Sequence, residues 1–118
     1  MTRENCPCCK YPTLSTRGDY EICLLCDWED DNQDDPQATE IWGGPNGDYS
    51  LEEARQNFKA HLTMYRKKSK NMNSAVAEKK RMLMEAYESL DKNNEETETV
   101  KWVKIVQLEQ SLNLQGWD

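Results

Sequence analysis

The residues of this chain that can do chemistry are its five cysteines, all of which fall within the first 26 positions. Cys6-x2-Cys9 and Cys23-x2-Cys26 form two C-x2-C pairs separated by 13 residues, close to the paired spacing of a tetrahedral zinc site. In each pair a tight turn lets two sulfurs converge on one ion at about 2.3 Å, while backbone N–H groups aimed at the thiolates offset their charge. Pro7 suits the first turn because its ring fixes φ. Cys8 is the spare thiol. A Cys6-x-Cys8 bite is poorer than Cys6-x2-Cys9, so Cys6, Cys9, Cys23 and Cys26 are the expected ligands, with Cys8 as an alternative to one of them. Four thiolates exclude hard cations such as Mg²⁺ and leave Zn²⁺ or iron. The expectation is one Zn²⁺ per chain, the rival being a rubredoxin-like iron centre for electron transfer. A closed four-thiolate site has no open position for water or substrate, so its metal is structural rather than catalytic. Five is also an odd number, and a reducing compartment keeps thiols free, which favours a metal site over a disulfide framework.

Other chemistry is sparse. His61 is the only histidine, which excludes a histidine-based triad or a multi-histidine metal site, and it reads as a boundary packing residue. The acidic run Asp27, Glu29, Asp30, Asp31, Asp34, Asp35 lacks the glycine and terminal glutamate of a calcium-binding loop. No nucleotide loop, nucleophile elbow or paired-carboxylate site is present, so the chain does not read as an enzyme. No apolar run approaches the roughly 18 residues a membrane span needs, and MTRENC lacks the apolar core of a secretory signal. A soluble, cytoplasmic protein without membrane contact is expected.

The elements that must position the cysteines follow from local pattern. Short β-type runs at Tyr11–Ser15 and Tyr20–Ile22 flank the turn signal Arg17-Gly18-Asp19, which predicts a β-hairpin with a cysteine pair at each end. A long loop follows, punctuated by Pro36, Gly43, Gly44, Pro45 and Gly47. Ser50 and Glu53 form a Ser-x-x-Glu capping box, and Leu51, Ala54, Phe58, Leu62 and Tyr65 recur at helical spacing, predicting a helix over 51–67. After a polar break at Ser69–Asn73, Val76, Lys79, Leu83, Tyr87 and Leu90 mark a second amphipathic helix, with Ala75, Met82 and Ala86 alongside. A connection at Asp91–Glu96 leads to a third over about 96–112, with Trp102, Ile105, Val106 and Leu112 on one stripe and Val103 beside it. The predicted class is therefore α+β: a small zinc-ribbon-like β-hairpin domain followed by about three helices, the last two an antiparallel helical hairpin. The expected division is 1–68 for the metal-bearing domain with its helix and 69–118 for the hairpin extension packed on it. With 36% apolar residues the core is modest, and a metal staple is expected. Tyr11, Tyr20, Trp28 and Trp42 gather in the metal-bearing half, where Trp28 can cover the second cysteine pair.

Charge is sharply segregated. Residues 19–54 carry twelve Asp or Glu and no Lys or Arg, whereas 55–81 carry nine basic residues against Glu78 alone. That asymmetry predicts a dipolar surface that biases partner choice. The leading functional expectation is a non-enzymatic acidic protein that docks on a basic protein through Asp30, Asp31, Asp34, Asp35 and the Trp42 loop. A bacterial immunity protein that neutralises a basic toxin is one such case. The alternative is association with nucleic acid through the basic 55–81 segment.

Three stretches together carry a resemblance: CPCC at 6–9, YEICLLCDWEDD at 20–31 and GGPNGDYSLEEARQNF at 43–58. Over about residues 5–60 the chain resembles the bacterial cysteine-rich CPCC family, which implies a small zinc-ribbon-like domain and no firm activity. Lys10 stands where that family commonly has glycine.

Overall fold

Each cysteine pair sits on a loop that its own backbone pinches shut. In the first, the Cys6 N–H donates to the Tyr11 carbonyl at 2.9 Å and the Lys10 N–H to the Cys6 carbonyl at 2.8 Å. In the second, the Cys23 N–H donates to Trp28 and the Asp27 N–H to Cys23, both at 2.9 Å. The residue after each second cysteine is left-handed, Lys10 at φ 71° and Asp27 at φ 74°. Glycine enters that region without steric cost, which is the physical reason a glycine suits position 10. These features come from a computed structural model that describes residues 2–67 and 72–116, with side chains to residue 113.

This arrangement overturns the α+β expectation and its zinc-ribbon hairpin. Among the described residues there is no strand and no sheet, only the isolated antiparallel bridges Glu4↔Leu14 and Ile22↔Glu29. The runs at 11–15 and 20–22 do not pair with each other. The first turns back to Glu4, and the second pairs forward with Trp28–Asp30. The Glu21 carboxylate joins them, accepting from the Ser15 hydroxyl at 2.6 Å and from the Ser15 and Thr16 N–H groups at 3.1 Å. Each observed bridge instead closes the chain around one cysteine pair, Glu4 to Leu14 around the first and Ile22 to Glu29 around the second, so burial of the cysteines outweighs the shorter loop a hairpin would have closed.

The chain divides into two compact units, Thr2–Lys68 and Ser69–Asp118. In the first, helix α1 (Leu51–His61) starts at Ser50, whose side chain accepts from the Glu53 N–H at 3.1 Å. The carboxylate of Glu53 is taken instead by Arg66 and Asn57. The helix ends six residues short of the predicted 67, because Leu62 turns left-handed at φ 63°. The chain then folds back, held by the Asn57 side chain on the Met64 carbonyl at 2.8 Å and by the Met64 N–H on the Cys26 carbonyl at 2.7 Å. Leu14, Leu25, Trp28, Leu51, Ala54, Phe58 and Met64 are buried with the cysteines. The loop before α1 contains two 3-10 turns, Asp35–Gln37 and Gly44–Asn46. The first is fixed by a reciprocal cap between Asp34 and Gln37 that a D-x-x-Q pattern encodes.

In the second unit, α2 (Ser74–Glu88) is capped by the Asn73 side chain, which accepts from Val76 at 2.9 Å, and runs on into a 3-10 turn at Ser89–Asp91. It packs against α3 (Glu98–Gly116). Lys79 Nζ reaches Ser111 at 2.6 Å and the Tyr87 hydroxyl meets Glu109, so the helices run antiparallel. Their seam buries Val76, Leu83 and Tyr87 against Trp102, Ile105 and Leu112. Lys80, not the expected Lys79, lies buried on the α2 stripe, and Met82, Ala75 and Val103 face solvent. No helix among the described residues is long and apolar enough to cross a membrane.

Candidate metal centre

The two pinched loops face their cysteines toward one another. Cys6 Sγ lies 3.6 Å from Cys26 Sγ and Cys9 Sγ lies 3.7 Å from Cys23 Sγ, so each short contact joins one loop to the other. All four sulfurs are buried and lie within 4.8 Å of one another. A tetrahedral ion with four metal–sulfur bonds of about 2.3 Å requires sulfurs about 3.8 Å apart. The donor set and its spacing fit such an ion. The expected ligands are thus the residues that converge; Cys8 is buried with its thiol against Cys26, and it is not one of the four mutually close sulfurs.

The electrostatics of the thiols are those of a set that shares charge. Burial opposes ionisation of Cys23, yet hydrogen bonds from Cys26, Cys6, Cys9 and the Thr13 hydroxyl hold it well below the usual thiol range. Cys9 and Cys26 move the other way. Cys9 is pushed far up by its hydrogen bond to Cys23 first and by burial further down, and Cys26 is pushed up by burial and then by Cys23. A dication bound among these sulfurs would take the place of their protons.

Each loop is held from behind. Arg55 of α1 donates through Nε to the Pro7 carbonyl at 2.9 Å, and its other arm reaches Asp35 at 2.6 Å. Asp35 also takes Lys10 Nζ at 3.3 Å, and the guanidinium of Arg55, then Lys10, hold its carboxyl below the usual range. The second loop is held by the chain leaving α1: Thr63 Oγ1 donates to Asp27 at 2.7 Å beside the bond from Met64 to Cys26. Neither Arg55 nor Thr63 stood out in the sequence for this task. The one sequence signal was Arg55 itself, a cation at the border of an acidic stretch.

The residues expected to meet a partner are placed differently. Asp30 has no exposed surface and takes Arg17 Nε at 2.9 Å and the Gly18 N–H at 2.6 Å. Asp31 is buried and binds the Gln33 side chain at 2.9 Å. Asp34 pairs with Arg17 at 2.7 Å. Asp35 is the shared acceptor of Lys10 and Arg55. Four of the five are therefore engaged inside the fold, and Asp30 and Asp31 are not surface residues. Trp42 is 46% exposed, its indole N–H on Glu40 at 3.2 Å. In the basic stretch, Arg66 is held by Asp48 and Glu53 and lies 4.1 Å over the Tyr49 ring, while Lys80 is buried. Lys68 and Lys70 lie outside the described residues.

Four buried cysteines on two opposed, helix-braced loops define a cysteine-knuckle domain with a site able to hold a metal ion. The family comparison agrees in the cysteine-rich character. The chain belongs to the cysteine-rich CPCC family, whose profile matches residues 4–79, more than half of the chain and well past the stretch that carried the resemblance. No curated protein and no solved structure matches it.

Proposed function

We propose that Cys6, Cys9, Cys23 and Cys26 hold one structural Zn²⁺ and that the unit it stabilises is a non-enzymatic binding module for a basic protein. The observation that carries the metal assignment is the set of four buried sulfurs at mutual distances suited to a tetrahedral ion, since four sulfurs fill every position and leave none for a substrate. When bound, the ion supplies folding free energy to a unit whose apolar core is small.

Support for a basic partner comes from what the fold leaves outside. Residues 2–67 carry thirteen Asp or Glu against seven Lys or Arg, a net charge of −6. Large apolar side chains are also left exposed: Tyr20 60%, Ile22 63%, Ile41 61% and Trp42 46%. Carboxylates stand beside them in the chain or across the bridge, Asp19 before Tyr20, Glu29 opposite Ile22 and Glu40 before Ile41. Exposed apolar side chains flanked by carboxylates suit a partner that presents apolar anchors among cations. Against nucleic acid, Arg55 and Arg66 are engaged within the fold and Lys80 is buried.

The test is affinity capture on the zinc-loaded protein, followed by binding of the purified partner to the parent and to an Ile22→Ser, Trp42→Ala variant. The expected partner is basic, binds more weakly as salt rises, and leaves the variant faster. Capture of nucleic acid that survives protease, with no protein bound, would point to the opposite class.

A further inference from the structure

The four sulfurs are not equivalent in what surrounds them. Cys23 Sγ accepts the backbone N–H groups of Leu25 at 3.4 Å and Cys26 at 3.5 Å, both supplied by its own turn. It also lies 3.0 Å from Thr13 Oγ1, which comes from the other side, on the chain leaving the first cysteine loop. That hydroxyl is held in place. The Thr13 N–H donates to Tyr11 at 2.8 Å, and the next residue, Leu14, is fully buried and exchanges backbone bonds with Glu4 at 2.8 and 3.1 Å. Thr13 itself is buried, and a β-branched side chain on a fixed backbone has few rotamers to choose from. Oγ1 is therefore held at the sulfur by its surroundings.

Metal binding gives this contact one direction. A ligating cysteine is a thiolate with no proton to give, so the hydroxyl must donate and the sulfur accept. Four thiolates around a dication leave a net charge of about −2, which buried donors must offset. A donor bonded to an ionised acceptor is roughly twice as strong as a neutral one.

We propose that Thr13 is a positioning residue of the metal centre, its hydroxyl donating to Cys23 Sγ so as to aim that sulfur at the ion and carry part of its charge. The inference rests on reading the four cysteines as a metal site. It makes the chain between the loops part of that site, since the first loop's exit segment then fixes a ligand of the second. It also makes Cys23 less nucleophilic than it would be without the bond, because lone-pair density on sulfur is engaged.

The test compares the full-length parent with Thr13→Val, which removes the hydroxyl at similar size, and Thr13→Ser, which keeps it. Three quantities are read: Zn²⁺ affinity by competition with a chromophoric chelator, the sulfur-to-metal charge-transfer band of the Co²⁺ form, and the rate of zinc release to a thiol-alkylating reagent. Thr13→Val is expected to bind Zn²⁺ about 10–100-fold more weakly, with a shifted Co²⁺ band and faster release. Thr13→Ser is expected to stay close to the parent in all three. Should Thr13→Val not fold, Thr13→Ala takes its place, with the same values expected relative to Thr13→Ser. Parent-like affinity, spectrum and release in the variant lacking the hydroxyl would overturn the proposal. A serine variant as impaired as that one would overturn it too, since the role would then be packing. A parent chain that takes up neither Zn²⁺ nor Co²⁺ removes the metal reading itself, a result separate from a metal-binding parent with an unaffected Thr13→Val.

Discussion

The backbone N–H of Met64 donates to the carbonyl of Cys26 at 2.7 Å, which ties the chain leaving α1 to a residue of the candidate metal site. Arg55, within α1, makes the matching tie to the first cysteine loop through the Pro7 carbonyl. One helix and its exit therefore brace both halves of the site. Metal binding and docking of α1 should accordingly be one cooperative event, because both cysteine loops are tied to the helix and its exit by these bonds.

Replacing any one of Cys6, Cys9, Cys23 or Cys26 by serine should abolish stoichiometric zinc binding and unfold the N-terminal unit. Cys8→Ser should retain one zinc per chain, because Cys8 stands outside the cluster of four sulfurs. Metal analysis with circular dichroism of the five variants checks this. Full zinc content in Cys9→Ser would reassign the ligand to Cys8.

Arg55→Met should destabilise the zinc-loaded protein by about 1.5–3 kcal/mol, the range for a hydrogen bond from a charged donor. The bond to the partly buried Pro7 carbonyl carries most of this, while the pair with exposed Asp35 adds little. Asp35→Asn should therefore cost less than Arg55→Met in chemical denaturation at fixed zinc. The reverse order would place the brace at the ion pair.

Lys10 and Asp27 share a left-handed backbone, and the two should respond oppositely to glycine. Lys10→Gly relieves about 1–2 kcal/mol of steric strain, partly offset by about 0.5–1 kcal/mol of added chain entropy. A modest rise in melting temperature is expected. Asp27→Gly gains the same relief and loses the carboxylate that Thr63 holds at 2.7 Å, so it should not stabilise. Thermal melts of the two variants decide, and a rise at both positions would show that the Thr63 bond contributes nothing.

Acid should weaken the carboxylate contacts on both sides of the second cysteine pair, at Glu21 before it and Asp34 after it. The Asp34 carboxyl is held below the usual range by the hydrogen bond from Arg17, and Glu21 is held low because bonds from Ser15 and Thr16 outweigh its burial. A carboxyl depressed in the folded state contributes stability that is present above its unfolded pKa of about 4 and is lost as pH falls through the lower folded value. Asp34→Asn should therefore be less stable than the parent near neutrality, and the gap should close below about pH 4. Denaturant midpoints measured at both pH values test it; a constant gap would assign the loss to the cap at Gln37 instead of to charge.

The segregation of charge along the chain has a structural outcome that spacing alone did not reveal. Asp35 meets Arg55, and Asp48 and Glu53 meet Arg66, so α1 and its exit bring the start of the basic stretch onto the acidic loop. Arg17, just ahead of the acidic stretch, neutralises Asp30 and Asp34 from the other side. What read as a dipole offered to a partner is in large part complementarity within one unit.

The sequence by itself determined the four ligand candidates, because a C-x2-C turn brings its sulfurs together through local geometry that needs no distant residue. It likewise determined the start of α1 at Ser50 and the existence of α2 and α3, since caps and a 3.6-residue period act within a few turns. Only the tertiary structure decided which segments pair around the cysteines, where α1 stops, and that Asp30 lies buried on Arg17. Those outcomes depend on groups far apart in the chain, such as Met64 on Cys26, Arg55 on Pro7 and Thr13 on Cys23. Each competes with a local preference that looks equally sound in isolation, and the competition is settled by which buried donors and acceptors the finished fold can satisfy.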